Sequence, residues 1–241
     1  MSGGLEESST TSWRETKAER IRTGVRGLDE RIGGGLIKGD VHIFAGGPGT
    51  GKTILASTIA YNALTRQPRH DAAVYAILEE PADYLKRNLK GIGIDFEPFE
   101  KAGRIRILEL EALSGEGLES SISSLLDAAD ETRHSSILVI DSFTTLLSGC
   151  GSQLEARWFV KAVYRSIKER GITALFTTNV GKDGQIDGES YTCDSVLLLE
   201  NVAEAFELKT RLTILKMRGT EHGRECYPIV FSPQITVSSY S

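Results

Sequence analysis

Short apolar runs alternate with longer segments of helical spacing through most of this chain. Val41-His42-Ile43-Phe44-Ala45 is short, apolar and β-branched and leads into a glycine-rich turn, which predicts a buried strand. Lys52 to about Thr65 predicts a helix, with Ile54, Leu55, Ile59 and Ala60 on its apolar face and Pro68 as a stop. Val74 to Leu78 predicts a strand, Asp83 to Gly91 a short helix, and Arg104 to Leu110 another strand. Leu118, Ile122, Leu125, Leu126 and Ala129 follow helical spacing. Ile137 to Ile140 is an uninterrupted apolar run of the kind a central parallel strand carries. Leu154, Trp158, Phe159, Val163 and Ile167 mark a long helix, and Ala174 to Phe176 the next strand. After Val180 the helices stop: Ser195–Leu199, Leu208–Met217 and Tyr227–Phe231 read as consecutive strands. The fold class is therefore α/β, a mostly parallel central sheet flanked by helices, with an antiparallel β extension at the C-terminal end.

A chain of 241 residues suits one such domain and can bury a large core. Residues 1–20 are rich in Ser, Thr, Glu and Gly and read as a mobile tail, with Trp13 as a candidate anchor. The domain runs over 21–233, and 234–241 reads as a frayed terminus. The formal net charge of -5 argues against coating nucleic acid by bulk charge, though not against a local basic groove. Cys150, Cys193 and Cys226 are odd in number and scattered without metal-ligand spacing, which points to a reducing, cytoplasmic setting. The polar, acidic start is no secretory signal, and no apolar run nears the ~18 residues of a membrane span.

Candidate chemistry begins after the first long strand. Gly46-Gly47-Pro48-Gly49-Thr50-Gly51-Lys52-Thr53 matches G-x-x-x-x-G-K-[ST] in full, between a predicted strand and a predicted helix. Glycines let backbone N–H groups turn inward around phosphate oxygens, and the helix N-terminus adds further donors. Lys52 would reach the β- and γ-phosphates, and the Thr53 hydroxyl would ligate Mg2+. Asp141, which ends the Ile137–Ile140 run, is the candidate acid for the metal's hydration shell; a turn or helix cap is the plain alternative. Glu79 and Glu80 end the Val74–Leu78 strand. One of them can face a nucleotide and polarise the attacking water, with Glu79 the first choice and Glu80 the second. A solvated acidic strand end that opens the next helix is the alternative. The candidate metal ligands are thus Thr53, Asp141 and Glu79.

Lys216-Met217-Arg218-Gly219-Thr220-Glu221-His222-Gly223 places three anion-binding groups together in an acidic protein. Such a cluster asks for an anionic partner, or is a hairpin turn with solvated charges worth ~0–1 kcal/mol.

Taken together, these motifs resemble the KaiC-like branch of the RecA superfamily. The resemblance runs from about Thr23 to Phe231. It rests on Thr23-Gly24, Leu28-Asp29, Gly33-Gly34-Gly35, the phosphate loop, Ile77-Leu78-Glu79-Glu80, Ile140-Asp141-Ser142, Thr177-Thr178, the K-x-R-G-x-x-H segment and Tyr227-Pro228. It implies a RecA-like P-loop NTPase core that binds ATP and Mg2+ between neighbouring copies of a homo-oligomer, a hexameric ring. Lys216 and Arg218 would approach the γ-phosphate of the next subunit, with Thr220 and His222 near the nucleotide. A finger of this kind is worth ~10³–10⁵ in rate. The expected activity is ATP hydrolysis in a regulatory role, acting on a protein partner that the residues do not name. The clock protein of the family carries two such domains and this chain one, so autokinase activity does not transfer. An acid that the family places near the ribose falls at Pro233, which leaves the choice between ATP and GTP open.

Two other functions compete. A RadA-like recombination accessory ATPase would bind single-stranded DNA through loops near Leu147–Arg157 and Val180–Tyr191. The second loop offers one Lys against Asp183, Asp187 and Glu189, where a single-strand groove wants cations and aromatics. A nucleotide sensor that assembles without hydrolysis would have little use for Glu79, Glu80 and Arg218.

Overall fold

A computed structural model describes residues 18–66, 71–111, 116–132, 136–181, 186, 192–204, 206–232 and 234–239. In chain order the elements are β1 (Arg20–Ile21), α1 (Leu28–Arg31), β2 (Leu36–Ile37), β3 (Val41–Gly46), α2 (Lys52–Arg66), β4 (Ala73–Ile77), α3 (Ala82–Gly91), α4 (Glu97–Lys101) and β5 (Ile105–Glu109). They continue with α5 (Glu116–Glu131), β6 (Ile137–Asp141), α6 (Phe143–Leu147), α7 (Gln153–Arg170), β7 (Thr173–Thr178), β8 (Ser195–Glu204), β9 (Glu207–Met217), β10 (Cys226–Val230) and β11 (Thr236–Val237).

Nine strands form one sheet in the order β11-β10-β9-β8-β3-β7-β6-β4-β5. From β8 through β5 every pairing is parallel, and from β8 outward to β11 every pairing is antiparallel. The strands β3, β4 and β7 are buried along their whole length, as strands covered on both faces must be. One apolar cluster joins Leu55, Ile59, Tyr75, Leu85 and Leu175 on the face of α2 and α3. A second joins Ile43, Leu125, Leu138, Phe143, Val163 and Ile167 on the face of α5, α6 and α7. Such a doubly wound sheet collects its loops at the C-terminal ends of the parallel strands, where this class of fold binds ligands.

The pattern of α7 differs from its sequence reading. Leu154 and Trp158 are 64% and 66% exposed, and the helix buries Val160, Val163 and Ile167 instead. Leu154 and Trp158 belong to a second apolar stripe, rotated away from the core-facing one. Lys161 covers the Trp158 ring from 5.4 Å. Thr236 and Val237, within the span read as a terminus, pair with β10, and Val237 N–H donates to Arg26 O at 2.8 Å. Trp13, Pro68, Pro233 and most of the Val180–Tyr191 loop lie outside the described residues.

Candidate functional site

The phosphate loop leaves β3 at Gly46 and enters α2 at Lys52. Gly49 and Gly51 adopt φ 73° and 89°, conformations that cost an L-side chain ~1–2 kcal/mol. A Cβ on Gly47 or Gly49 would meet nothing within 4 Å, so the backbone there is open to a large anion, whereas a Cβ on Gly51 would run into the Phe231 ring. Phe231 is therefore a wall of this site that the motif did not reveal. Thr50 is buried and its hydroxyl donates to Gly47 O at 2.8 Å, which closes the turn. Lys52 Nζ donates to Gly46 O and Gly47 O at 2.7 and 2.9 Å. Burial lowers the Lys52 pKa from its ordinary value, opposed by the negative charges of Asp141 and Glu79.

Two strands away, β6 ends at Asp141. Thr177 Oγ1 donates to Asp141 Oδ1 at 2.5 Å, and the Tyr75 hydroxyl donates to Oδ2 at 3.2 Å. Ser57 Oγ lies 3.0 Å from the Tyr75 hydroxyl, which ties α2 to the same chain of bonds. These bonds from the sheet below hold the carboxylate in one orientation, the support a metal-facing acid needs.

Glu79 and Glu80 follow β4 just past its last residue, so strand alternation does not sort them. Leu78 N–H donates to Asp141 O at 2.9 Å and brings the pair beside β6. Ser142 and Thr145 hydroxyls both donate to Glu79 Oε1 at 2.6 Å. Those two bonds lower the Glu79 pKa despite partial desolvation, and Lys52 helps. Ser142 also caps α6, accepting from Thr145 N–H at 3.2 Å, so the cap of one helix aims the acid of another strand. Glu80 is shifted the other way: burial raises its pKa, and the charges of Asp141 and Glu79 add to it. Glu79 and Glu80, shifted in opposite directions, thus gather with Asp141, and the charges of Asp141 and Glu79 reach Lys52.

Among the described residues no group of three His, Cys, Asp or Glu side chains is arranged to hold a metal by itself. A Mg2+ site that serves a nucleotide takes few protein ligands and fills its shell with phosphate oxygens and water. A hydroxyl at Thr53 and a carboxylate at Asp141 are oxygen donors of the required kind.

The basic segment lies elsewhere. Met217 pairs with Ser195, and Ser195 with His42. Lys216 and Arg218 therefore sit beside the beginning of β3, while the phosphate loop follows its end, roughly 13 Å further along the strand. Lys216 Nζ donates to Cys193 O at 2.6 Å, and Arg218 Nη1 reaches Asp194 Oδ1 at 3.4 Å. Thr220 Oγ1 accepts from Arg20 Nη2 at 2.8 Å, and the same guanidinium donates to Ile32 O and Gly35 O. His222 is half-buried, and its Nδ1 lies 3.0 Å from Gly223 O. The structure brings Lys52, Asp141, Glu79 and Glu80 together, and keeps Lys216, Arg218, Thr220 and His222 apart from them.

A mostly parallel sheet, a phosphate loop at the end of a central strand and a supported acid two strands away define a P-loop domain of RecA-like fold. A family model described as "ATPase: KaiC" matches residues 21–238. The chain is 30% identical to a UPF0273 protein of Thermotoga maritima, over 87% of this chain and 91% of that one. It is 33% identical to the circadian clock oscillator protein KaiC of Prochlorococcus marinus, over 90% of this chain and 44% of that one. It thus spans less than half of the clock protein's length. The crystal structure of a KaiC-like protein from Pyrococcus horikoshii superposes with a TM-score of 0.82 at 28% identity, covering 92% of this chain and 99% of that one. The chain belongs to the KaiC ATPase family.

Proposed function

We propose that this protein binds ATP with Mg2+ between neighbouring copies of itself and hydrolyses it to ADP and phosphate. The observation that carries the proposal is the separation of two complementary half-sites across one sheet. The cations of Lys216 and Arg218 flank the start of β3 and the phosphate loop follows its end, so one chain's cations do not serve its own loop. A second copy, set head to tail, supplies them. Repetition of that heterologous contact closes into a ring, hexameric as in the resemblance above.

In this reading the loop amides and Lys52 bind the phosphates. Mg2+, reached through the Thr53 hydroxyl and Asp141, would neutralise phosphate charge. Glu79, oriented by Ser142 and Thr145, accepts the proton of the attacking water, with Glu80 as the alternative acceptor. Arg218 and Lys216 of the neighbour meet the negative charge that develops on the transferring phosphoryl group. Thr220 and His222 of the same segment lie near the nucleotide. The cycle of binding and hydrolysis changes the contacts between copies, which suits a regulatory role in the cytoplasm toward a protein partner.

The test is phosphate release per chain at saturating Mg-ATP across a dilution series, with the oligomer mass measured at each concentration. Release per chain should collapse where the assembly dissociates, and Arg218→Ala should reproduce that loss in the undiluted protein. Full activity in a preparation shown to be monomeric overturns the proposal.

A further inference from the structure

The basic segment contacts a buried acidic residue that belongs to neither half of the site described above. Asp194 precedes β8, and its side chain is 8% exposed. A carboxylate this far from water needs donors around it. Val41 N–H and Lys168 Nζ donate to Oδ2 at 3.0 and 3.2 Å. The Tyr164 hydroxyl donates to Oδ1 at 2.9 Å, and Arg218 Nη1 meets the same oxygen at 3.4 Å. Burial alone would raise the Asp194 pKa, but the bonds from Val41, Tyr164 and Lys168 outweigh it and hold the group ionised. Lys168 is shared with Asp40 at 2.5 Å, so it does not neutralise Asp194 alone.

The main chain of Asp194 and of Cys193 before it holds the segment as well. Arg218 N–H donates to Asp194 O at 3.0 Å, and Lys216 Nζ donates to Cys193 O at 2.6 Å. A β-bulge explains how both cations reach this one place. Leu197 pairs with Ile214 but Val196 pairs with Lys216, so Leu215 is the extra residue of β9. Without it, Lys216 would continue the inward row of Leu212 and Ile214. With it, Met217 takes the core position and Lys216 and Arg218 turn to the opposite face. The root of Arg218 is thus fixed while its side chain stays 54% exposed. Among the described residues its long contact with Asp194 uses a fraction of the five donors of a guanidinium.

We propose that Asp194, held by Val41, Tyr164 and Lys168, is a positioning residue that aims Arg218 at the nucleotide of the neighbouring subunit. This rests on the trans reading given under Proposed function. Asp194 touches no substrate in this account. Its effect is to limit the guanidinium to a narrow set of directions before the neighbour's phosphate arrives, which preserves the rate advantage of a pre-aligned charge.

The experiment uses Asp194→Asn in the full chain, assayed alone and in mixed oligomers. These are made by co-expression with a Lys52→Ala chain and purified through two different tags. Asp194→Asn should lower kcat about ten- to a hundredfold while the KM for ATP changes far less, because the variant's own phosphate loop is intact. In mixed oligomers about a quarter of interfaces join an intact loop from one variant to an intact finger from the other, so activity should rise above that of either parent. Arg218→Ala mixed with Lys52→Ala is the control. Recovery with Arg218→Ala but not with Asp194→Asn would show that Asp194 acts within its own chain, and would overturn the proposal. An unchanged kcat in Asp194→Asn would do the same. Failure of both mixtures would instead remove the trans reading itself, and the present inference with it. If Asp194→Asn does not fold, Tyr164→Phe, which removes one of the donors that orient the carboxylate, decides by the same measurements. A wild-type kcat there, or a loss that mixing does not relieve, counts against the inference.

Discussion

His42 lies in the middle of the sheet, 1% exposed, with both ring nitrogens engaged. Nδ1 is 2.6 Å from Ser195 Oγ and Nε2 is 3.1 Å from Ile37 O. A neutral ring satisfies both, with Nε2–H donating to the carbonyl and Nδ1 accepting from the hydroxyl. Burial lowers the His42 pKa from 6.5 to about 4, against the carbonyl bond and the charges of Asp40 and Asp194, with Lys168 adding to the depression. The native state therefore binds fewer protons than the unfolded chain between these values. Stability is complete above the unfolded value, falls as pH drops through 6.5, and levels off below about 4. At ~1.4 kcal/mol for each pH unit between the two values, the full loss is about 3 kcal/mol, of which about 2 kcal/mol is gone by pH 5. The assay is urea unfolding from pH 7.5 to 5 at fixed protein concentration, for wild type and His42→Gln. The variant will be less stable at neutral pH but should lack this slope, so the two curves should converge as the pH falls. Curves that run parallel over this window would refute the reasoning, because only the titration of His42 differs between the two proteins.

Glu79→Gln should reduce phosphate release ~10²–10⁴-fold without loss of ATP binding, the usual worth of a positioned proton acceptor. The pH profile separates the two acids. A proton acceptor at Glu79, whose pKa is lowered by Ser142 and Thr145, puts the acidic limb of kcat below the ordinary carboxylate range, and one at Glu80, raised by burial and by Asp141, puts it above. Wild-type release in both Glu79→Gln and Glu80→Gln would remove the assignment. Gly51→Ala combines a φ of 89° with a collision against Phe231, and should weaken ATP binding in equilibrium titration and lower Tm by roughly 4–8 °C, whereas an unchanged Tm would mean that neither the backbone conformation nor the Phe231 contact constrains the loop.

Much of the fold was legible because its strands announce themselves. A strand buried on both faces must be apolar throughout, and Val41–Ala45, Val74–Ile77 and Ile137–Ile140 are nearly so. The short helices α1, α4 and α6 and the two-residue strands β1, β2 and β11 carry too few positions to show a period. Leu154 and Trp158 misled for a different reason. Periodicity finds apolar stripes, and a helix with two stripes does not say which one the core takes.

The same division runs through the site. The chain's residue types and spacing determined that a phosphate loop forms between a strand and a helix, because a short run of glycines, lysine and threonine contains all the backbone donors and side chains that task requires. The sequence also placed an acid at the end of a buried strand and a pair of acids at the end of another. Only the tertiary structure decided what holds them. Ser142 and Thr145 on Glu79, and Thr177 and Tyr75 on Asp141, come from other elements and meet through sheet order. It also decided that Lys216 and Arg218 stand at the far end of the strand that carries the loop, turned there by one extra residue in β9 and held on Cys193 O and Asp194 respectively. Strand register, a bulge and a long-range carboxylate depend on pairings between distant segments, and no local pattern of residues encodes them.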